Sequence, residues 1–194
     1  MEIDRYNAPS ATMTTLYNFL NRIANWKTLI FLLLAYASFP AYWLKNAEAT
    51  INQLAGKVIG PIDLTIGFDP AQTLAMVADY GPAARAFYTR TELTTDLIYP
   101  IVYSLLFSVI LSMLFRHRPN RWVALLPFGT LLFDYLENAA IVTLLTSYPA
   151  QSVTVAVLCE VFKLAKWLSL GVIIGLIVYG LFLTIFKRIV PTTR

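Results

Sequence analysis

Four long runs of mostly apolar residues dominate the chain, at 28–44, 97–115, 122–145 and 153–186. A helix rises about 1.5 Å per residue, so roughly 20 apolar residues reach across the hydrocarbon core of a bilayer. The runs show none of the alternation between polar and apolar positions that a small transmembrane barrel requires. Backbone groups that face lipid must bond within their own segment, which favours helices. The pattern predicts an all-α integral membrane four-transmembrane-helix bundle, with residues 1–194 forming a single membrane domain.

Two stretches outside the runs carry helical patterns of their own. Within residues 1–27, apolar positions such as Leu16 and Leu20 recur at helical spacing. This predicts a cytoplasmic amphipathic helix that either lies on the membrane face or packs against the bundle. Residues 45–96 form the longest connection, which we expect to be helical and extracytoplasmic. In it Asp69 is a predicted N-cap for a short helix.

Prolines and a glycine in that connection predict where its helices start and end. Pro70 suits the first position of the short helix, and Gly81 suits its end. Pro82 can then open a second helix, which we expect to lead directly into the apolar run at 97–115. The two helices would form the extracytoplasmic feature of the protein.

Composition and charge distribution point to a membrane protein rather than a nucleic-acid-binding one. The chain is 58% hydrophobic and 13% charged, about half the charged fraction of ordinary soluble domains. The net charge is +4, and the basic residues are clustered before the first run, between the second and third runs, and after the fourth run. These clusters are Arg5, Arg22 and Lys27, then Arg116, Arg118 and Arg121, then Lys187, Arg188 and Arg194. This arrangement follows the positive-inside rule and predicts that both termini are cytoplasmic. The expected partners are membrane lipids, and no nucleic acid is expected.

The apolar runs nevertheless contain ionisable residues. Asp134, Glu137 and Asn138 share one face of the third run, because they are spaced i, i+3 and i+4. A rise of about 1.5 Å per residue places them in the outer half of the membrane. Similar residues enter the second and fourth runs at a comparable depth, namely Glu92, Asp96, Tyr99 and Tyr103, and Glu160, Lys163 and Lys166.

Because three helices carry polar residues at one level, we expect these residues to face one another across the bundle. The local count is five carboxylates against four cations, Arg85, Arg90, Lys163 and Lys166, which favours mutual pairing. One interpretation is a network that specifies helix packing. The other is a binding pocket, since ionisable groups within a membrane commonly mark functional sites. The predicted ligand-binding residues are Arg85, Glu92, Asp96, Tyr103, Asp134, Glu137, Asn138, Glu160 and Lys163. Arg85 is the preferred anion contact, because its guanidinium can donate two hydrogen bonds to a carboxylate or phosphate.

Several kinds of chemistry are excluded by the residue inventory. A single cysteine, Cys159, and a single histidine, His117, cannot supply a Cys/His zinc site or a bis-histidine haem. We predict no metal and no cofactor. Three functions stay open: a pocket for a lipid headgroup or small polar or anionic ligand, an accessory subunit bound to a membrane protein partner or to its own copies, and a membrane-embedded lipid-modifying enzyme that uses paired carboxylates.

Two segments carry a resemblance to a known group of proteins. The stretch YGPAARAFYTRTELTTDLIYPIVY at 80–103 and the stretch FDYLEN at 133–138 resemble a group of small bacterial four-helix membrane proteins. Its pattern reads G-x-x-G-R-x-x-Y, D-x-x-Y/F-P-x-x-Y and D-x-x-E-N, with a lysine in the last helix. The chain departs from it at Ala84, where the pattern has glycine, and this loosens the proposed turn before Arg85. The resemblance implies a four-helix fold in the bacterial inner (cytoplasmic) membrane, nominates the same polar residues and Tyr88, and implies no activity.

Overall fold

The computed structural model describes residues 11–189, and side chains within 12–185. This part of the chain is helical and contains no strand, so the all-α prediction is confirmed for it. We number its α-helices in chain order: α1 Ala11–Ile23, α2 Trp26–Ser38, α3 Leu44–Ala55, α4 Pro70–Asp79, α5 Gly81–Glu92, α6 Thr95–Phe115, α7 Leu126–Ser147 and α8 Val153–Ile189.

Four helical segments of the described chain are long and apolar enough to cross a membrane, namely Trp26–Ala55, Gly81–Phe115, Arg121–Ser147 and Val153–Ile185. The first is longer than the predicted run, because a wide π-helical turn at Phe39–Trp43 joins α2 to α3 without ending the helix. The first part of the expected connection is therefore a continuation of this helix. α6 is the most central element, since it packs against α2, α7 and α8.

Much of the apolar surface of these segments faces outward. Only 6% of the apolar window in the first segment and 11% of that in the last are buried inside the protein. Large exposed side chains include Phe31 and Leu34 on α2 and Leu168 and Phe182 on α8. Apolar surface this extensive requires an apolar surrounding such as lipid or another protein.

The segment between α3 and α4 is bonded to its neighbours. The Asn52 side-chain oxygen accepts hydrogen bonds from the backbone N–H groups of Ile59 and Gly60, each 2.9 Å long. The Tyr80 hydroxyl donates to the Gly60 carbonyl at 2.7 Å, and burial raises the pKa of this hydroxyl. The predicted N-cap is confirmed, since the Asp69 side chain accepts from the Gln72 N–H at 2.9 Å.

The amphipathic N-terminal helix packs against the bundle. Tyr17 and Leu20 of α1 are buried, and the Tyr17 ring lies 5.0 Å from that of Trp122. The contacts of α1 therefore favour the second interpretation of this helix. Residues 1–10 of the predicted segment lie outside the described part of the chain.

Candidate functional site

Lys166 of α8 lies between two carboxylates of α7. Its Nζ is 3.5 Å from Asp134 Oδ1 and contacts Glu137 Oε2. The Tyr103 hydroxyl of α6 donates to Asp134 Oδ2 at 2.7 Å, so the cluster joins three helices. The predicted pairing across the bundle is thus confirmed for these residues. Lys166 is at its centre, although the sequence prediction placed it among the paired charges and not among the ligand contacts.

Two buried carboxyl groups retain oxygens without hydrogen bonds. Glu137 Oε1 and Glu92 Oε2 have no hydrogen-bond partner among the described residues. The Glu92 side chain is 1% exposed, and Glu137 is completely buried. Neither residue lines the cavity that is described below. Since Glu137 touches Lys166 through its other oxygen, Glu92 is the more isolated of the two.

Glu160 and Lys163 attach the loop before α4 to α8. They form an ion pair at 2.7 Å, one turn apart on the same helix. Glu160 also accepts from the Asp69 N–H at 3.0 Å and from the Thr73 hydroxyl at 2.6 Å. Lys163 donates to the Thr65 hydroxyl. Within the described structure, these contacts attach residues 65–73 to α8, and neither side chain lines the cavity.

A cavity of about 460 Å³ lies beside the Lys166 cluster. Helices α2, α3, α5, α6, α7 and α8 contribute to its wall, and residues 61–64 contribute from the connection. Four of the nine predicted ligand-binding residues line it, namely Asp96, Tyr103, Asp134 and Asn138. The Asn138 amide is positioned by donating to the Asp96 carbonyl at 3.0 Å.

Arg85 is held elsewhere. Its Nη1 donates to the Val77 carbonyl at 3.1 Å, and its guanidinium carbon lies 3.9 Å from the centre of the Tyr148 ring. These contacts fix it between α4 and the end of α7, and it is not among the residues that line the cavity. The position of Arg85 therefore does not bring its guanidinium to the site where an anion contact was expected.

The sequence prediction missed part of the cavity wall. Asp63 lies in the loop and accepts a hydrogen bond from the Tyr88 hydroxyl at 3.0 Å, while that hydroxyl accepts from the Ile62 N–H at 2.9 Å. The Asp63 carbonyl also accepts from Trp167 Nε1 at 3.4 Å. No periodicity marks a loop residue such as Asp63, whereas Tyr88 was nominated by the family resemblance.

One wall of the cavity is aromatic. The rings of Tyr36 and Tyr99 stack with centroids 5.7 Å apart, and Tyr99 meets Tyr103 edge-on at 5.5 Å. Phe107 continues the wall, 6.2 Å from the Tyr103 ring. Tyr99 and Tyr103 therefore both line the cavity.

The lining of the cavity carries more carboxylates than cations. Its acidic side chains are Glu48, Asp63, Asp96 and Asp134, and its basic side chains are Lys45 and Lys166. The near balance that the sequence predicted does not hold at the cavity itself, because Arg85, Arg90 and Lys163 do not line it.

Within the described residues, no three His, Cys, Asp or Glu side chains converge closely enough to hold a metal ion. Comparison of the chain with protein-family models, with curated proteins and with solved structures finds no match.

Proposed function

We propose that this chain is a multi-pass protein of the bacterial inner membrane, and that its cavity binds the head of a lipid or another small amphipathic ligand. The positive-inside pattern favours cytoplasmic termini, which would place the cavity in the outer half of the bilayer. The large exposed apolar faces of α2 and α8 support membrane insertion, because water would solvate them poorly.

The observation that carries the proposal is the amphipathic lining of a 460 Å³ cavity. Its volume lies in the usual range for small-molecule sites, which are mostly apolar with a few fixed polar groups. Side chains such as Leu44, Ile51 and Leu170 supply apolar surface, and Asp96 and Asn138 supply polar contacts. A molecule that has both a polar head and an apolar body matches such a lining.

The rigidity of the polar wall also supports binding. Asp134 is fixed by Tyr103 and Lys166, and Asp63 is fixed by Tyr88. Groups held in place before a ligand arrives lose little entropy when it binds.

Filling the cavity provides a direct test. Ala47 lines it, whereas Ala49, two positions along the same helix, is exposed and does not. We would purify wild type, Ala47→Phe and Ala49→Phe in a mild maltoside detergent and record native mass spectra. The expected result is a discrete bound mass in wild type and Ala49→Phe that is lost in Ala47→Phe. Equal retention in all three proteins, or no bound mass in wild type after incubation with bacterial lipid extract, contradicts the proposal.

A second candidate function is that of an accessory subunit of a membrane complex. The low burial of the first membrane-length segment favours it, because a partner helix could cover that face as well as lipid can. Mild-detergent purification followed by cross-linking would find a stoichiometric partner or a homo-oligomer if this function is correct.

A further inference from the structure

Among the described residues, three carboxylates of the cavity wall have no cationic partner. Lys166 is already in contact with Asp134 and Glu137. Glu48, Asp63 and Asp96 also line the cavity, and in the described part of the chain none of them forms an ion pair within 4 Å. The remaining basic side chain of the lining is the exposed Lys45. Within the described residues, the cavity lining therefore carries four carboxyl groups against two ammonium groups.

The aromatic wall stands beside these carboxylates. Tyr36, Tyr99 and Tyr103 line the same cavity as Asp96, and Trp167 lines it as well. The faces of tyrosine and tryptophan rings attract cations, most strongly where water is excluded. Carboxylates combined with aromatic faces are the surroundings that favour an organic ammonium group.

We propose that the cavity selects its ligand through an ammonium group, with Asp96 and Asp63 as the counter-ions and the aromatic rings as the wall. This inference rests on the proposed function and specifies the chemistry of the ligand head. The apolar side chains Leu44, Leu64 and Leu170 of the same cavity take the hydrocarbon part.

Two classes of molecule carry such an ammonium group, and they differ in whether they also carry a phosphate. An aminophospholipid also carries a phosphate, and Lys45 is an exposed cation of the lining that can pair with it. A free lipophilic amine has no phosphate and does not need Lys45. Both sources share the contact with Asp96 and Asp63.

Three probes of equal chain length differ in the charge of their head group. Octylammonium, octanol and octanoate would each be titrated into the full-length protein in uncharged maltoside detergent, with bound mass and thermal midpoint as readouts. We expect octylammonium to bind at least about tenfold more tightly than octanol, because one partly buried charge contact is worth a factor of this order. Octanoate should bind most weakly of the three.

Isosteric variants test which carboxylates are responsible. Asp96→Asn and Asp63→Asn should each lower octylammonium affinity about tenfold and leave octanol affinity unchanged. Asp79→Asn is the matched control, because Asp79 pairs with Lys57 at 2.8 Å on the surface and does not line the cavity. Glu48→Gln provides a third charge-removing variant should either aspartate variant fail to fold. A wild-type preference for octanol or octanoate, or equal octylammonium affinity in all folded variants, overturns the inference.

The same measurements separate charge selectivity from the existence of the pocket. If Ala47→Phe removes the binding of every probe but octylammonium has no advantage, the pocket stands and its charge selectivity is refuted. If no probe binds, or Ala47→Phe changes nothing, both proposals are refuted. If wild type prefers octylammonium, a competition experiment identifies the source of the ammonium group. Displacement of octylammonium by phosphatidylethanolamine but not by phosphatidylglycerol identifies a lipid, and this displacement should be weaker in Lys45→Gln. Displacement by neither lipid identifies a lipophilic amine.

Discussion

Replacing Lys166 with methionine removes the ammonium group that Asp134 and Glu137 share, while most of the side-chain hydrocarbon is retained. The three side chains are 11%, 10% and 0% exposed, respectively, so water cannot replace the lost cation effectively. At the 3.5 Å separation of Lys166 and Asp134, an effective dielectric constant of about 20 gives an attraction of about 5 kcal/mol. Breaking a buried ion pair from one side costs about 3–5 kcal/mol. We expect Lys166→Met to lower the free energy of unfolding by this amount.

The matched control is Lys57→Met. Lys57 and Asp79 form an ion pair whose side chains are 49% and 55% exposed. Exposed pairs contribute only about 0–1 kcal/mol, so this variant should unfold almost as wild type does. Unfolding would be followed by circular dichroism during titration of maltoside micelles with sodium dodecyl sulfate.

A double variant separates lost charge from lost packing. Lys166→Met combined with Glu137→Gln removes one of the two carboxylates that the single variant leaves uncompensated, and it should recover at least about half of the lost stability. If Lys166→Met costs no more than Lys57→Met, the buried cluster does not stabilise the bundle.

Substitutions at three other sites, two of them with a control variant, test separate parts of the fold, each through the free energy of unfolding. Asp69→Ala should cost about 1 kcal/mol because it removes the N-cap of α4, whereas Asp69→Ser should retain most of the stability. Tyr88→Phe should cost about 1–3 kcal/mol and speed hydrogen exchange at 61–65, because it leaves the buried Ile62 N–H without its acceptor. Gly180→Ala should cost about 1–3 kcal/mol, since its Cβ would lie 2.8 Å from a phenylalanine ring of α6. Gly175→Ala meets nothing within 4 Å and should be neutral or stabilising by up to about 1 kcal/mol.

Each of these expectations has an outcome that contradicts it. Equal stability of the alanine and serine variants at Asp69 would show that its side chain does not cap α4. Unchanged exchange in Tyr88→Phe would show that its hydroxyl does not hold the loop. If the two glycine variants behave alike, the close approach of α8 to α6 is not tight at Gly180.

The helices were largely predictable because hydropathy and the residues that start and stop helices act locally. Aspartate at the N-cap and proline at the first helical position favour a helix start through local contacts, and the structure begins α4 at Pro70. The end of the first membrane-length helix was predicted too early. Polar residues such as Lys45 and Glu48 end the apolar pattern, but the helical segment continues to Ala55. The π-helical turn at Phe39–Trp43 carries the helix past Pro40, and hydropathy does not report such turns.

The site was predictable only where the helix register determines it. Asp134, Glu137 and Asn138 share a face through their spacing, and the structure buries all three. Arg85 was assigned to the site because of its charge, yet its partners are the carbonyl of Val77, eight residues earlier, and the ring of Tyr148, which is distant in the sequence. Asp63 reaches the cavity through a loop whose path depends on tertiary hydrogen bonds, so no local pattern marks it.

The shared ammonium group of Lys166 has a consequence for how this sequence can diverge. A neutral substitution at position 166 leaves two carboxylates without their cation, and neutral substitutions at both 134 and 137 leave the Lys166 ammonium group without a carboxylate. Either intermediate is costly, so descendants should cross between charged and uncharged forms by paired changes. Among related chains we therefore expect positions 134, 137 and 166 to vary as a unit, while the exposed pair at 57 and 79 drifts independently.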